Sequence, residues 1–105
     1  MIAILPAARR EVRALPERVR GDLADALARL DAGQALSLPL SRSMPGIGAH
    51  VHELRLRDRS GTYRVVYALV IEGAVHVLHA FMKKTQGTPR RNIELAKARL
   101  KEIRR

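Results

Sequence analysis

The strongest constraint on this chain is a two-residue alternation repeated between Val51 and Met82. A period of two is the mark of strands that bury one face. In Val51–Arg57, Leu54 and Leu56 alternate with Glu53, Arg55 and Arg57. Asp58 to Gly61 then reads as a turn. In Thr62–Ile71, Tyr63, Val65, Tyr67, Leu69 and Ile71 face one way, and Arg64, Val66, Ala68 and Val70 the other. Glu72-Gly73 suits a tight hairpin turn, and Ala74–Met82 supplies a third strand. Two hairpins in sequence give an antiparallel meander.

The flanks switch to helical spacing. Met1–Leu5 reads as a short edge strand, and Pro6 opens a helical stretch with Ala8, Val12 and Leu15 on one face. Pro16 is placed as a first-turn proline of a second helix. Val19, Leu23, Ala26, Leu27 and Leu30 follow at amphipathic spacing, and Gly33 stands where a C-terminal cap belongs. These helices are expected to form a hairpin that packs on the sheet. Gln34–Ala49 contains Pro39, Pro45, Gly46 and Gly48, and reads as a loop. After a polar loop from Lys83 to Thr88, Thr88 and Pro89 are placed as N-cap and first residue of a last helix. Its apolar stripe is Ile93, Ala96, Leu100 and Ile103, with Arg90, Arg91, Lys97, Lys101, Arg104 and Arg105 mostly off it. The fold class is therefore α+β: a small antiparallel (mixed) sheet, an N-terminal helical hairpin and a C-terminal helix. At this length, 1–105 is expected to be one domain.

Hydrophobic residues make up 47% of the chain, enough for a core, but aromatics only 3%, so Leu, Val, Ile and Ala must fill it. The absence of cysteine excludes disulfides and thiolate metal sites. No apolar run approaches the roughly 18–20 residues of a membrane span, and no signal peptide is read. A cytoplasmic location without membrane association is expected.

The net charge is +10. Residues 1–50 carry seven Arg against five acids, whereas residues 51–105 carry thirteen Lys or Arg against five acids. A positive field concentrated in one half draws nucleic acid or an acidic partner. By alternation, Arg55 and Arg64 share one sheet face on neighbouring strands. Two cations so placed repel unless an anion lies between them, and a phosphate would supply it. Lys83 and Lys84 stand where the third strand ends. Charged side chains are usually only solvated surface, so the signal lies in the group rather than in any member. Glu53, on the same face, reads as an ion-pair partner for Arg55 more readily than as a general base. His50, His52, His76 and His79 lack the carboxylate spacing of a metal site. His79, between Leu78 and Ala80, reads as a packed histidine.

Several short motifs, weak singly, are specific in order and spacing. They are His52-Glu53-Leu54-Arg55, then Thr62-Tyr63-Arg64-Val65-Val66-Tyr67, then Leu78-His79-Ala80-Phe81-Met82-Lys83-Lys84-Thr85-Gln86. Thr88-Pro89 and Ile93-Glu94-Leu95-Ala96 follow. In this series the chain resembles the RelE/ParE toxin superfamily, and most its phage-derived HigB-like branch. The resemblance implies a sheet flanked by helices and a toxin neutralised by a cognate antitoxin, often of helix-turn-helix type. It also implies entry into the ribosome and cleavage of mRNA there, and this cleavage is expected to need no metal or cofactor. Carried over residue by residue, it assigns catalysis to Arg55, Arg64, Lys83 and Lys84. Arg42, Arg57, Gln86, Arg90 and Arg91 are expected to contact RNA. Some relatives move protons with a Tyr or His near the C-terminus; this chain has no Tyr beyond Tyr67 and no His beyond His79. Two rival readings are a ParE-like gyrase inhibitor and an inactive nucleic-acid-binding module.

Overall fold

The computed structural model describes residues 1–71 and 73–104, leaving aside the side chain of Val70. Its elements run β1 (Ile2–Ile4), α1 (Pro6–Arg13), α2 (Glu17–Asp31), β2 (Ser41–Ser43), β3 (Val51–Asp58), β4 (Gly61–Ile71), β5 (Ala74–Lys83) and α3 (Arg90–Ile103). The sheet order is β1-β5-β4-β3-β2. The β3–β4–β5 meander is antiparallel, and β1 joins β5 in parallel, so the sheet is mixed and the α+β class holds.

Each sheet face has its own core. Leu54, Leu56, Tyr63, Val65, Tyr67 and Val77 pack against Leu15, Val19, Leu23, Leu27 and Leu30 of the helical hairpin. On the opposite face Val51, Val66, Ala68 and Leu78 pack against Ala96 and Leu100 of α3, with Ile47 closing the side. The α2 stripe thus buries the residues its spacing selected, while Val12 of α1 is only half-buried. Gly33 follows the last turn of α2 with φ of 87°. There the Gly33 N–H donates to Leu30 O and the Gln34 N–H to Arg29 O, which satisfies carbonyls the helix end would leave open.

Several local expectations need correction. Gln34–Ala49 is not all loop: Ser41–Ser43 pairs antiparallel with β3, which puts Arg42 on a strand opposite Glu53. The three-residue strand has no apolar alternation to announce it. Its anchor is a hydroxyl pair, Ser41 Oγ to Tyr67 Oη at 2.6 Å. Pro16 and Pro89 are extended N-cap residues, not first helical residues. Lys83 is the last residue of β5, not the start of the loop. Ile71 packs with the α3-side core rather than with Leu69. The β4–β5 register shifts between Ala68 and Ile71, and such a bulge reverses the side-chain phase. Glu72, half of the expected tight turn, lies outside the described residues, as does Arg105; Gly73 has φ of 77°.

Candidate functional site

α3 covers only one end of its sheet face. At the other end the strand register lays out rows of side chains that face the same way. Arg57, Thr62 and Lys83 form one row, and Arg55, Arg64 and Phe81 the next. Arg42, Glu53, Val66 and His79 form the third. The register therefore sets Arg55 directly opposite Arg64, with Lys83 one row away.

Arg64 is only 4% exposed and Glu53 2%. Arg64 Nε lies 3.4 Å from Glu53 Oε1. The second carboxylate oxygen of Glu53 accepts the Thr88 hydroxyl at 2.8 Å. Arg64 Nη1 donates to the Tyr63 carbonyl at 3.1 Å. The ion pair at Arg64 Nε is not also a hydrogen bond, so this buried N–H has no hydrogen-bond partner among the described residues. The expectation that Glu53 holds Arg55 is thus corrected: Glu53 holds Arg64, while Arg55 stays exposed. Thr88, expected to cap α3, spends its hydroxyl on Glu53 instead.

One acid does not balance the cations gathered here. Burial, opposed by Glu53 and assisted by Arg55, pulls Arg64 below its ordinary value. Lys83 is also lowered from the usual 10.5: partial burial contributes first, then Arg64, with Arg55 and Arg42 adding and Glu53 opposing. Like charges disfavour the protonated form in this way.

Two open concavities meet at Arg64 and Thr62. One, of about 440 Å³, is bounded by Pro39, Leu40, Arg55, Leu56 and Arg57. The other, of about 570 Å³, is bounded by Lys83, Lys84, Thr85 and Gln86. The structure therefore brings together Arg55, Arg64, Lys83 and Lys84, with Arg57 and Gln86 beside them. Arg42 stands at the edge, within electrostatic reach of Lys83. Arg90 and Arg91 are exposed in the first turn of α3 and line neither concavity. Pro39 and Leu40 belong to the site and had no signal in the motif series, whereas Thr62 and Thr88 stand in that series but were given no role in the site. Among the described residues, no three His, Asp or Glu side chains are grouped to hold a metal ion.

The histidines lie elsewhere. His52 stacks on Tyr67, and burial, then His50, lowers its affinity for a proton. His76 bonds the Ile71 carbonyl. His79 is buried, as its apolar neighbours suggested, and belongs to a second ionic cluster. Its Nδ1 meets Glu11 Oε1 at 2.8 Å and its Nε2 meets Asn92 Oδ1 at 2.7 Å. Arg99 grips both oxygens of Glu11, at 2.7 and 3.1 Å. The cluster ties α1, β5 and α3 together across up to 88 positions of sequence, a separation at which no spacing rule speaks.

A family model described as Phage derived protein Gp49-like (DUF891) matches residues 10–101. The chain belongs to this Gp49-like family. The Gp49-like chain is also similar to the crystal structure of the isolated E. coli RelE toxin, P21 form. That similarity has a TM-score of 0.58 at 22% identity and covers 98% of this chain and 97% of that one. At such identity the likeness speaks to the fold. The chain thus has the RelE fold, as the motif series implied. No curated protein matches in sequence. Among the described residues, no helix is long and apolar enough to cross a membrane.

Proposed function

We propose that this Gp49-like chain is the toxin of a type II toxin–antitoxin pair and cleaves mRNA on the ribosome. The observation that carries this reading is Arg64. A guanidinium almost wholly removed from water, with an Arg opposite and a Lys one row away, is a costly arrangement for structure alone. An anion at the junction of the two concavities relieves it.

In this reading the 2′-oxygen of the substrate attacks the adjacent phosphorus as its hydroxyl proton passes to solvent water, and the 5′-oxygen of the next nucleotide leaves. Glu53 holds Arg64 in place. Arg64 and Arg55 then stabilise the charge that builds on the phosphorane oxygens, an effect worth about 3 kcal/mol for one well-placed donor. Lys83 and Lys84 position the phosphate, and one of them protonates the leaving oxygen. The ribosome orients the mRNA, which compensates for the lack of a C-terminal Tyr or His. Arg42, Arg57, Gln86, Arg90 and Arg91 add attraction to the RNA backbone. The same positive face suits an acidic segment of a cognate antitoxin, which we take to be of helix-turn-helix type, and the site of action is the cytoplasm.

The test is induction in cells with mapping of mRNA 5′ ends. Codon-linked cuts are expected, with loss of growth arrest on Arg64→Ala and Lys84→Ala. The roughly 10²-fold loss expected for Arg64→Ala follows from removing one such donor. Variants that arrest growth like the parent, or DNA damage without cuts, refute the reading.

A further inference from the structure

Two Arg–Glu pairs of this chain are built differently. Arg99 takes Glu11 by both carboxylate oxygens, from Nη1 at 2.7 Å and Nη2 at 3.1 Å. That fork is the geometry a guanidinium and a carboxylate prefer. Arg64 and Glu53 lie deeper, at 4% and 2% exposure, where a close pair is needed more. Yet Arg64 Nε stands 3.4 Å from Glu53 Oε1 and makes no hydrogen bond among the described residues. The difference lies at the second oxygen. Glu53 Oε2 accepts the Thr88 hydroxyl at 2.8 Å, so it is not offered to Arg64. The same hydroxyl adds nothing to α3, which starts from Pro89 without a side-chain cap. Arg64 meanwhile lines both concavities. A carboxylate that meets it at one long contact leaves much of the guanidinium charge uncompensated. A fork would neutralise that charge and turn its N–H groups towards Glu53.

We propose that Thr88 is a positioning residue for the phosphate site: by tethering one oxygen of Glu53 it prevents a two-point grip on Arg64 and keeps that guanidinium available to an anion. The inference rests on the RNA-cleaving reading and adds to it a residue outside the cationic cluster. Thr88 meets no substrate. It sets how far Glu53 compensates Arg64, close enough to hold the side chain in place and too far to satisfy it. The attraction of the cluster for phosphate is thus fixed from the loop ahead of α3, not by the cations alone.

The experiment is an NMR titration of the isotope-labelled full chain with inorganic phosphate at constant ionic strength, following the Arg64 Nε–H and the Lys83 side chain. Thr88→Val keeps the shape of the side chain and removes the donor. Without phosphate, its Arg64 Nε–H signal should move downfield from the parent's as the hydrogen bond to Glu53 closes. Its phosphate affinity should fall about 10-fold, the low end of what one charge-assisted hydrogen bond contributes. Thr88→Ala should show both changes, and Thr88→Ser, which keeps the hydroxyl, should show neither. A merely structural Thr88 would lower Tm in the valine and alanine variants while the Nε–H signal and the phosphate affinity stay at the parent's values. That result, or a serine variant as weak as the valine one, overturns the proposal and leaves the phosphate site standing. Phosphate that moves neither Arg64 nor Lys83 in the parent overturns the phosphate reading, and the proposal with it.

Discussion

Glu11 is the residue on which the structure stakes most outside the site. Its carboxylate is the common acceptor for Arg99, His79 and the Ala80 N–H. β1 ends before it reaches Ala80, so Glu11 also caps a β5 edge that β1 leaves unpaired. Replacing it with alanine strands Arg99, 12% exposed, and His79, 5% exposed, without their anion. Breaking a buried pair from one side costs about 3–5 kcal/mol. Glu11 itself keeps 23% exposure, and water reaching the gap reduces the cost to about 2–3 kcal/mol. That is a large share of the roughly 5–15 kcal/mol available to a small domain. It corresponds to a fall in Tm of about 10–20 °C.

Urea unfolding followed by far-ultraviolet circular dichroism measures this, with Arg99→Ala and the double variant completing a cycle. The two single losses should overlap by about 1 kcal/mol or more, because each removes the same contact. The pH dependence adds a second check. Burial pushes the Glu11 carboxyl up, but its hydrogen bonds from Arg99, His79 and Ala80 together hold it below the ordinary 4.5. A depressed folded-state value stabilises fully above the unfolded one and is lost as pH falls through the folded one. The gap between parent and Glu11→Ala should therefore be widest above pH 4.5 and narrow below it. A loss under about 0.5 kcal/mol, the range of ordinary surface substitutions, would refute the argument. So would a strictly additive cycle.

Two further outcomes follow from the site. Glu53→Gln leaves a buried Arg64 without its counter-ion and should cost about 3 kcal/mol; inorganic phosphate should raise the Tm of this variant more than that of the parent. The Lys83 ammonium, followed by NMR, should titrate below the ordinary 10.5. Arg64→Ala should move that titration upward, since it removes a neighbouring cation and frees Glu53 to favour the charged form; no movement, or a downward one, contradicts the electrostatic description.

The parts of the fold legible in sequence are those where one periodicity holds over many residues. The β3–β4–β5 meander and the α2 stripe are of this kind, because each buries one continuous face. What sequence concealed are local breaks of phase and choices between equivalent partners. The bulge that turns Ile71 away from Leu69 leaves no trace in the alternation. Ser41–Ser43 is a strand because a hydroxyl finds Tyr67, not because its own side chains alternate. The Glu53 pairing shows the second kind. Arg55 lies two residues along the same strand, and Arg64 lies on the diagonal of the neighbouring one, both within reach of a long side chain. Burial decides between them: Glu53 and Arg64 are both out of water, and an unpaired charge there is far more costly than an exposed Arg55 left to solvent.

The four residues proposed for catalysis were readable because strand parity and the end of a strand are enough to bring them near one another. What holds them was not. Thr88 stands just ahead of α3 and bonds the same carboxylate that pins Arg64. Arg99, further along α3, is gripped by Glu11. The helix that closes one end of the sheet face is thus tied to the site at its start and to α1 along its length. Loosening α3 at Arg99 is expected to relax the Thr88–Glu53–Arg64 chain without touching a residue proposed to meet phosphate. Placement of the Arg64 guanidinium and docking of the last helix are then one structural property, expressed at opposite ends of the same sheet face.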